Sequence, residues 1–445
     1  MLDTLWHLSV KSLAMIVCKF GGSSVADASQ IKKVKAILES DPERAIAVVS
    51  APGKRDKEDV KITDLLYKCN SMAKEGFTCK PVFDIIAKRY IAIAEELGLK
   101  ADALRAKLYE VRQSIDNGAG ADYAASRGEY LSAYLISQVV GWEFLDTADV
   151  IVINNDNTVN PATYDNLANR LYPGRKYVVP GFYGRGENGT IKTFTRGGSD
   201  ITGSILARAA KADLYENWTD VSGVLRADPR VVEYATSISE LSYEACRELS
   251  DVGASVFHEE AIAPVYEAGI PINVKNTNRP EDAGTLIVPS PEKKELSGVS
   301  VRGGLTLVKL HKLLLFKKTG IRHALFTLLH VYGIRPSFSL FGIDSIVFLF
   351  DSAQATDETV KAMCDRFTKE FSLDSISSER GHAILGVGGS DIKGSAAVKA
   401  ADALDDAGVA ITFINYGASD ASFLIGIKEE DSKKALKAVY DKLFK

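Results

Sequence analysis

The chain has 445 residues, of which 46% are hydrophobic and 25% charged, and this length predicts two or three domains. The formal net charge of -4 excludes a basic nucleic-acid-binding surface, and no apolar run reaches the ~18 residues that a membrane span needs. The five cysteines are scattered and show no C-x-x-C spacing, which predicts reduced thiols in a cytoplasmic protein rather than disulfides or a zinc site.

The N-terminal stretch MLDTLWHLSVKSLA contains one lysine and a short apolar run, which is a poor match to a signal peptide. Met15 stands directly before the first strand-like run. We therefore expect residues 1–14 to be an extension outside the fold.

Residues 15–290 alternate between strand-like and helix-like segments. Continuous apolar runs predict buried strands, and apolar residues at helical spacing predict helices, with Asp27 as the N-cap of the first one. The predicted strands are 15–20, 44–51, 177–182, 212–218 and 270–276, and the predicted helices are 28–40, 81–117, 121–141, 199–211 and 258–269. This alternation indicates an α/β sandwich with helices on both faces of a mainly parallel sheet, which binds ligands at the carboxyl ends of its strands.

After a Pro- and Lys-rich stretch at 289–298, the sequence repeats itself with a constant offset of 75 residues, which aligns Gly333 with Gly408 and Gly342 with Gly417. Each copy reads strand, helix, strand, strand, helix, so we predict two small α+β units that form a paired regulatory module. Chance similarity is the alternative, and the constant offset argues against it. The predicted parts are an extension at 1–14, a catalytic domain at 15–290, a linker at 291–303, and the two small units at 304–378 and 379–445.

Two glycine motifs carry the chemistry. In CKFGGSS, at 18–24, Lys19 ends a strand, and the glycines free successive backbone N–H groups that suit an anion. A tight turn beside a surface lysine explains the same residues equally well. In TRGGSDITGS, at 195–204, Arg196 precedes two glycines, and Ser199 or Asp200 is expected to cap a helix. Two glycine loops with a preceding cation each suit an anionic donor and an anionic acceptor, as phosphoryl transfer requires.

Two further segments remain ambiguous on their own. NWTDVSGVLRADPR, at 217–230, contains Asp220 and Arg230 and is either a polar hairpin or a frame for a nucleotide. SRGEYLSAYL, at 126–135, starts an amphipathic helix from which Glu129 points either to solvent or inward to an ammonium group.

Taken together, K-F-G-G-S-S-V, S-x-G-E, R-G-G-S-D and W-T-D-V-x-G-V-x-x-A-D-P-R resemble the aspartate kinase family of the amino-acid kinase superfamily. The resemblance runs from Met15 to the C-terminus. It implies a three-layer α/β sandwich with a mainly parallel sheet, followed by two ferredoxin-like α+β ACT domains. The implied reaction transfers a phosphoryl group from ATP to the side-chain carboxylate of L-aspartate, the first step of lysine, threonine and methionine biosynthesis.

The resemblance also implies residue roles. Lys19 and Asp200 are implied to be catalytic, with Asp200 orienting the lysine. The residues implied to bind aspartate are Ser50, Thr63, Glu129, Arg196, Gly197, Gly198 and Ser199. The residues implied to bind ATP are Lys19, Phe20, Gly21, Gly22, Ser23, Thr219, Asp220, Arg230, Lys275 and Asn276. The chain departs from the family at Leu225, where a tyrosine is common, and at 256–264, so nucleotide packing and contacts around Glu259 are expected to differ.

Cofactor and partners follow from the same resemblance. Mg²⁺ is expected to arrive on the nucleotide, so no metal site made of protein ligands alone is predicted. An amino-acid effector, lysine or threonine or both, is expected in the ACT region, together with a homodimer or homotetramer. The candidate effector residues are Thr319, Gly320, Asp344 and Ser345, although Asp344 has an alternative role in packing the turn between strands.

Two other functions stay open at this point. A kinase of the same superfamily with another acceptor, such as glutamate, acetylglutamate, carbamate or uridylate, would keep the fold. A catalytically inactive amino-acid sensor would keep the fold and lose turnover, and the intact Lys19, Arg196 and Asp200 speak against it.

Overall fold

The computed structural model describes residues 15–195, 197–254, 257, 259–292, 295–317, 320–390 and 392–445. The expectations for residues 1–14, Arg196 and Thr319 fall outside the described residues. The chain divides into two compact units: the described residues within 15–224, 237–243 and 257–292 form the first, and those within 225–236, 244–254 and 295–445 form the second. The domain boundaries expected from the sequence stay predictions.

The secondary structure follows the alternation expected from the sequence. In chain order the strands are β1 (Ile16–Phe20), β2 (Arg44–Val49), β3 (Glu143–Phe144), β4 (Val152–Ile153), β5 (Tyr177–Pro180), β6 (Tyr183–Gly186), β7 (Ile191–Thr193), β8 (Leu214–Thr219), β9 (Glu240–Ser242), β10 (Ile272–Asn276), β11 (Thr285–Val288), β12 (Leu296–His311), β13 (Phe338–Phe341), β14 (Ser345–Asp351), β15 (Ser375–Gly389), β16 (Phe413–Asn415) and β17 (Ser422–Lys428).

The helices lie between these strands. They are α1 (Ala28–Glu39), α2 (Ile62–Lys74), α3 (Lys80–Glu96), α4 (Asp102–Asp116), α5 (Ala121–Val140), α6 (Thr147–Val150), α7 (Ala162–Arg170), α8 (Gly198–Ala210), α9 (Tyr243–Asp251), α10 (Glu259–Ala268), α11 (Ile321–Val331), α12 (Asp357–Phe371), α13 (Gly394–Asp406) and α14 (Ser432–Phe444). No described helix is both long and apolar enough to cross a membrane.

The first unit is built on an eight-stranded sheet in the order β3-β5-β2-β1-β8-β10-β11-β9. Its neighbouring strands are parallel except for the β10–β11 pair. A second, three-stranded sheet joins β4, β6 and β7. The expected α/β fold with a mainly parallel sheet is therefore confirmed.

Alternation along the central strands sorts their side chains between two layers of helices. Cys18 and Phe20 of β1, with Trp218 of β8, lie in the core shared with helices α1 to α5. Tyr215 points the other way, and its hydroxyl donates to the main-chain oxygen of Asp200 in α8 at 3.2 Å. Polar residues at odd positions of β1 and β8 consequently meet α8.

Three local expectations can be compared with the observed elements. Asp27 caps α1 as expected, because its side chain accepts from the N–H of Gln30 at 2.9 Å. The single helix expected over 81–117 is wrong: α3 ends before Gly98, whose φ of +74° stops the helix, and α4 begins at Asp102. The expected capping of α8 by Ser199 or Asp200 is also wrong, since the N-cap is Gly197.

The second unit contains both copies of the sequence repeat. Each copy folds as strand, helix, strand, strand, helix, which confirms the expected pair of α+β units. Their strands form one antiparallel sheet in the order β13-β14-β12-β15-β17-β16, because β12 and β15 pair along most of their length. Alternation places α11 to α14 on one face, and Leu305, Leu349, Ile384 and Leu424 on the opposite face.

Candidate active site

A lysine, an aspartate and an asparagine form a compact polar group where β1, β8 and α8 meet. Lys19 and Asn217 are register partners on adjacent parallel strands, and both side chains point toward α8. The Lys19 ammonium lies 2.6 Å from the Asp200 carboxylate and also donates to Asn217 Oδ1 at 3.5 Å. Asn217 Nδ2 donates to the same oxygen of Asp200 at 3.2 Å. Lys19 is therefore held in one position at the carboxyl end of β1.

The first glycine loop packs closely against Gly53 and has fewer free N–H groups than the sequence predicts. A Cβ atom on Gly53 would lie 2.6 Å from the main-chain carbon of Gly22, so the two segments touch backbone to backbone. The N–H of Gly21 donates to the carbonyl of Trp218 at 3.0 Å, so the expected run of free N–H groups is wrong at Gly21. Among the described residues, no acceptor is found for the N–H groups of Gly22 and Ser23. These two donors leave room for an anion beside Lys19.

The second glycine loop requires its glycines for two different reasons. Gly197 has φ of +58°, a left-handed conformation that favours glycine. A Cβ on Gly198 would lie 2.7 Å from the Phe182 ring, so this glycine permits close packing at the start of α8. Ser199 follows, and its hydroxyl accepts from Ser50 at 2.9 Å, which brings the ends of β2 and α8 together.

Helix α5 brings Glu129 to the end of β2. A Cβ on Gly128 would lie 2.7 Å from Cβ of Ala51, so glycine lets the helix approach the strand. Glu129 is 5% exposed, and its Oε2 has no hydrogen-bond partner among the described residues. Burial raises the pKa of Glu129 to about 7, while the main-chain N–H of Ala51 and the charge of Arg127 act in the opposite direction. A buried carboxylate with one oxygen that lacks a partner is suited to receive a cation.

Thr63 lies in the first turn of α2. It is half-buried near the start of α2. The preceding residue, Ile62, packs beside Gly128, with its Cγ2 atom 3.5 Å from the position of a Cβ there.

Four of the expected nucleotide residues lie at the carboxyl ends of β8 and β10. Thr219 and Asn276 are register partners on these parallel strands, and Asp220 follows Thr219. Lys275 donates to the main-chain oxygen of Asp282 at 2.9 Å, and its ammonium lies 5.4 Å from the centre of the Trp218 ring. Four of the expected residues thus lie on one edge of the sheet, next to the strand that carries Lys19.

Arg230 belongs to a different unit from the residues above. It lies in the second unit, where its guanidinium pairs with Asp228 at 2.7 Å and its side chain is 88% exposed. Leu225, the departure from the family pattern, is also in the second unit and is 37% exposed.

Sequence reasoning missed three residues that shape the site. Asn217 holds Lys19 and Asp200, and the sequence shows only that it stands beside Glu216 in a strand-like run. Phe182 adopts φ of +82° where the chain leaves β5, and nothing in its residue type indicates this. Arg89 of α3 is buried and donates to the carbonyl oxygens of Ala26 and Gly53, which fixes the first glycine loop from behind.

Three of the expected effector residues, Gly320, Asp344 and Ser345, lie in described parts of the first repeat. Gly320 has φ of +83° and precedes α11. Asp344 accepts from the N–H of Leu314 at 2.7 Å, and the Ser345 hydroxyl lies 3.1 Å from Nδ1 of His311. Asp344 therefore has a structural contact of its own, in agreement with the packing alternative.

No group of three His, Cys, Asp or Glu side chains within the described part of the chain is arranged to hold a metal ion. Around Lys19 lie the Asp200 carboxylate that pairs with it, the Asn217 amide and the N–H groups of Gly22 and Ser23. The ammonium and these N–H groups suit phosphate oxygens.

Comparison with known proteins identifies this architecture. A model of the amino acid kinase family matches residues 14–276, and a model of an ACT domain matches residues 383–443. The fold and the site thus define a kinase of the amino acid kinase class with a regulatory ACT region.

Individual similar proteins show which family within this class the chain belongs to. The chain is 34% identical to aspartokinase 3 of Bacillus subtilis over 97% of its own length and 99% of that protein. It is similar to the crystal structure of aspartate kinase from Clostridium acetobutylicum, with 40% identity, a TM-score of 0.91, and coverage of 96% of this chain and 100% of that one. It is also similar to Escherichia coli aspartokinase III in complex with lysine and aspartate, with 26% identity, a TM-score of 0.76, and coverage of 97% and 100%. The chain belongs to the aspartate kinases, which phosphorylate aspartate with ATP under allosteric control through ACT domains.

Proposed function

We propose that this enzyme transfers the γ-phosphoryl group of MgATP to the side-chain carboxylate of L-aspartate, giving 4-phospho-L-aspartate and ADP. The observation that carries the proposal is the Lys19–Asp200 pair, 2.6 Å apart at the end of β1 and directly beside both glycine loops. The product would feed lysine, threonine and methionine biosynthesis. The five free, buried cysteines support a cytoplasmic location.

Lys19 would neutralise charge on the phosphoryl group during transfer. Its ammonium is a compact point charge, and Asp200 with Asn217 holds it without removing its remaining donor capacity. The free N–H groups of Gly22 and Ser23 would contact the same oxygens. Phosphoryl transfer depends mainly on positioning and electrostatic stabilisation, and a held lysine beside backbone donors supplies both.

The nucleotide would lie along the edge formed by the ends of β8 and β10, next to Phe20 and Gly21. Thr219, Asp220, Lys275 and Asn276 offer hydroxyl, carboxylate, ammonium and amide groups there. We keep Arg230 as a proposed ATP contact on the basis of the family motif alone.

Aspartate would bind near the end of β2 and the start of α8. Glu129 would meet its ammonium group, Arg196 its α-carboxylate, and Ser50, Thr63 and the Gly197–Ser199 segment would surround the remainder. The buried, unpaired Oε2 of Glu129 supports this assignment, because a substrate ammonium would supply the missing partner.

The chemistry needs no general base. The side chain of free aspartate has a pKa of ~3.9, so the attacking carboxylate is already ionised at neutral pH. The carboxylate oxygen attacks the γ-phosphorus in line, and ADP leaves as the bond to its bridging oxygen breaks. Mg²⁺ would be carried by the nucleotide and would offset charge on its phosphates.

Regulation is proposed to involve lysine, threonine or both, bound near Thr319, Gly320, Asp344 and Ser345. Titration of the activity with lysine and threonine, singly and together, identifies the effector.

We also propose a homodimer or homotetramer assembled through the ACT region. Light scattering at several protein concentrations would measure the size of this assembly.

The acceptor is tested by coupled ADP release with L-aspartate, L-glutamate, N-acetyl-L-glutamate and uridylate as separate substrates. We expect turnover with aspartate and a specificity constant at least tenfold lower for each alternative. Preferred turnover of another acceptor would replace aspartate in the proposal, and absence of turnover with all of them would favour the inactive sensor.

A further inference from the structure

The second unit contains a cavity that the proposed kinase and effector residues do not use. Its volume is about 510 Å³, and it lies on the face of the six-stranded sheet opposite to α11–α14. Leu307, Val347 and Phe413 form its apolar part. A cavity of this size is within the range that small-molecule ligands occupy.

The polar part of the cavity is a histidine-centred cluster. His382 Nε2 lies 3.1 Å from Glu379 Oε2 and 3.3 Å from the ammonium of Lys428, and Lys428 also pairs directly with Glu379. The His382 side chain is only 3% exposed. Its Nδ1 atom is buried and has no partner among the described residues. Buried polar atoms are nearly always hydrogen-bonded, so the open Nδ1 leaves one polar position of the cluster for a partner.

The charged side chains that line the cavity determine whether it attracts an anion or a cation. Lys309 and Lys428 contribute two cations, whereas Glu379 contributes one carboxylate. Lys309 is exposed on the same face and forms no ion pair with any described residue. The cluster therefore carries an excess of positive charge even when the histidine is neutral, and this charge attracts anions.

We propose that this cavity binds a small carboxylate anion. One carboxylate group would lie between the ammonium groups of Lys309 and Lys428, within reach of His382 Nδ1, and the carbon chain would lie against Leu307 and Phe413. Imidazole Nδ1 can donate to a carboxylate oxygen or accept from a hydroxyl or amino group of the same ligand. None of these residues is among those assigned to aspartate, ATP or the effector, so the proposal does not depend on the proposed function.

Succinate and putrescine test the proposal as probes of equal chain length and opposite charge. The six histidine rings of the full-length enzyme are isotope-labelled for NMR, and the ring resonance of His382 is assigned by its loss in the His382→Gln variant. The expected result is a saturable change in the chemical shift of that resonance with succinate and no change with putrescine. Equal movement with both probes, or none with succinate, would overturn the proposal.

Substitutions locate the binding group. Lys309→Met and Lys428→Met should each weaken succinate binding about tenfold, because each removes one charge-assisted hydrogen bond. Lys361→Met is the matched control, since Lys361 is exposed on α12 outside the cavity. This variant should bind succinate as tightly as the unaltered enzyme. If the response of His382 to succinate survives unchanged in Lys428→Met, it arises from binding elsewhere and the cavity is not the site.

Discussion

At the scale of single residues, Glu129 combines burial with the need to carry a charge. Its pKa of about 7 means that the free enzyme holds this group partly protonated at neutral pH. Only the ionised form attracts an ammonium group. We therefore expect kcat/KM for aspartate to fall as the pH decreases through 7, since the substrate itself does not titrate in that range.

The Glu129→Gln variant tests this assignment. It should lower kcat/KM for aspartate 10- to 100-fold above pH 8, by estimates of about 1.5–3 kcal/mol for a hydrogen bond to a charged group. The fall below pH 7 should also disappear from the pH profile. Glu39→Gln, a change at an exposed position of α1, is the control. A profile that keeps the same fall near pH 7 in Glu129→Gln would assign that titration to another group.

The same residue makes a prediction about stability. Because the folded state raises the pKa of Glu129 from its usual 4.5 to about 7, the fold favours the protonated form. The associated stability is present below pH 4.5 and is lost as the pH rises through 7. Glu129→Gln should thus raise the free energy of unfolding by about 3 kcal/mol above pH 8 and by little at pH 4. Denaturant unfolding at the two pH values measures this, and a destabilised variant at pH 8 would contradict the account.

At the residue scale, local sequence patterns located the end of the strand that carries Lys19 but could not reveal which distant residues contact it. The end of an apolar run located Lys19, and the structure places it beside Asp200, 181 positions further along the chain. Asn217 was missed because its role depends on its register with Lys19, which no local pattern encodes. Arg196 and Thr319 stay sequence-based predictions.

At the scale of elements, the contact between α5 and β2 determines where Glu129 lies. Gly128→Ala would place a methyl group 2.7 Å from Cβ of Ala51 and push the helix away from the strand. We expect KM for aspartate to rise about tenfold and the stability to fall by ~1–3 kcal/mol, the usual cost of overpacking.

A compensating change provides the control for this prediction. Ala51→Gly removes the methyl group that the new side chain would meet, so the Gly128→Ala/Ala51→Gly double variant should recover most of the lost affinity for aspartate. Steady-state kinetics of the two single variants and the double variant measure the recovery. Additive effects without recovery would show that the helix does not move as a unit.

Element prediction located the five expected strands of the first unit, missed the short strands β3, β4, β6, β9 and β11, and misplaced some helix ends. The periodic apolar pattern over 81–117 continues across Leu97 and Gly98, so the pattern alone could not reveal that the chain turns there. The N-cap of α8 was misplaced because Ser199 and Asp200 have capping side chains, whereas the tight turn at Gly197 decides the boundary.

At the scale of the whole molecule, the repeat offset predicted two α+β units, and the structure adds that they share one sheet. That joining depends on β12 and β15, whose sequences show no sign of the partner strand. Similarly, the alternation of elements predicted a mainly parallel sheet, but not the antiparallel β10–β11 pair within it. Pairing between strands distant in sequence is the part of the fold that local patterns leave undetermined.

The regulatory unit yields its own prediction through Asp344. Asp344→Asn keeps an oxygen that can accept from the N–H of Leu314 and removes the negative charge. We expect the effector concentration for half-maximal inhibition to rise at least tenfold, with an unchanged unfolding midpoint. If inhibition is unchanged while the turn stays folded, Asp344 serves packing alone.

Comparison of kcat with aspartate affinity in the Lys19→Ala variant tests most directly whether Lys19 stabilises the phosphoryl group in transfer. We expect kcat to fall about 100- to 1,000-fold or more, as for removal of one preorganised electrostatic contact, while aspartate binding measured by calorimetry stays within about threefold. Lys35→Ala, at an exposed site on α1, should keep full activity. A Lys19→Ala enzyme with the kcat of the unaltered protein would contradict the account.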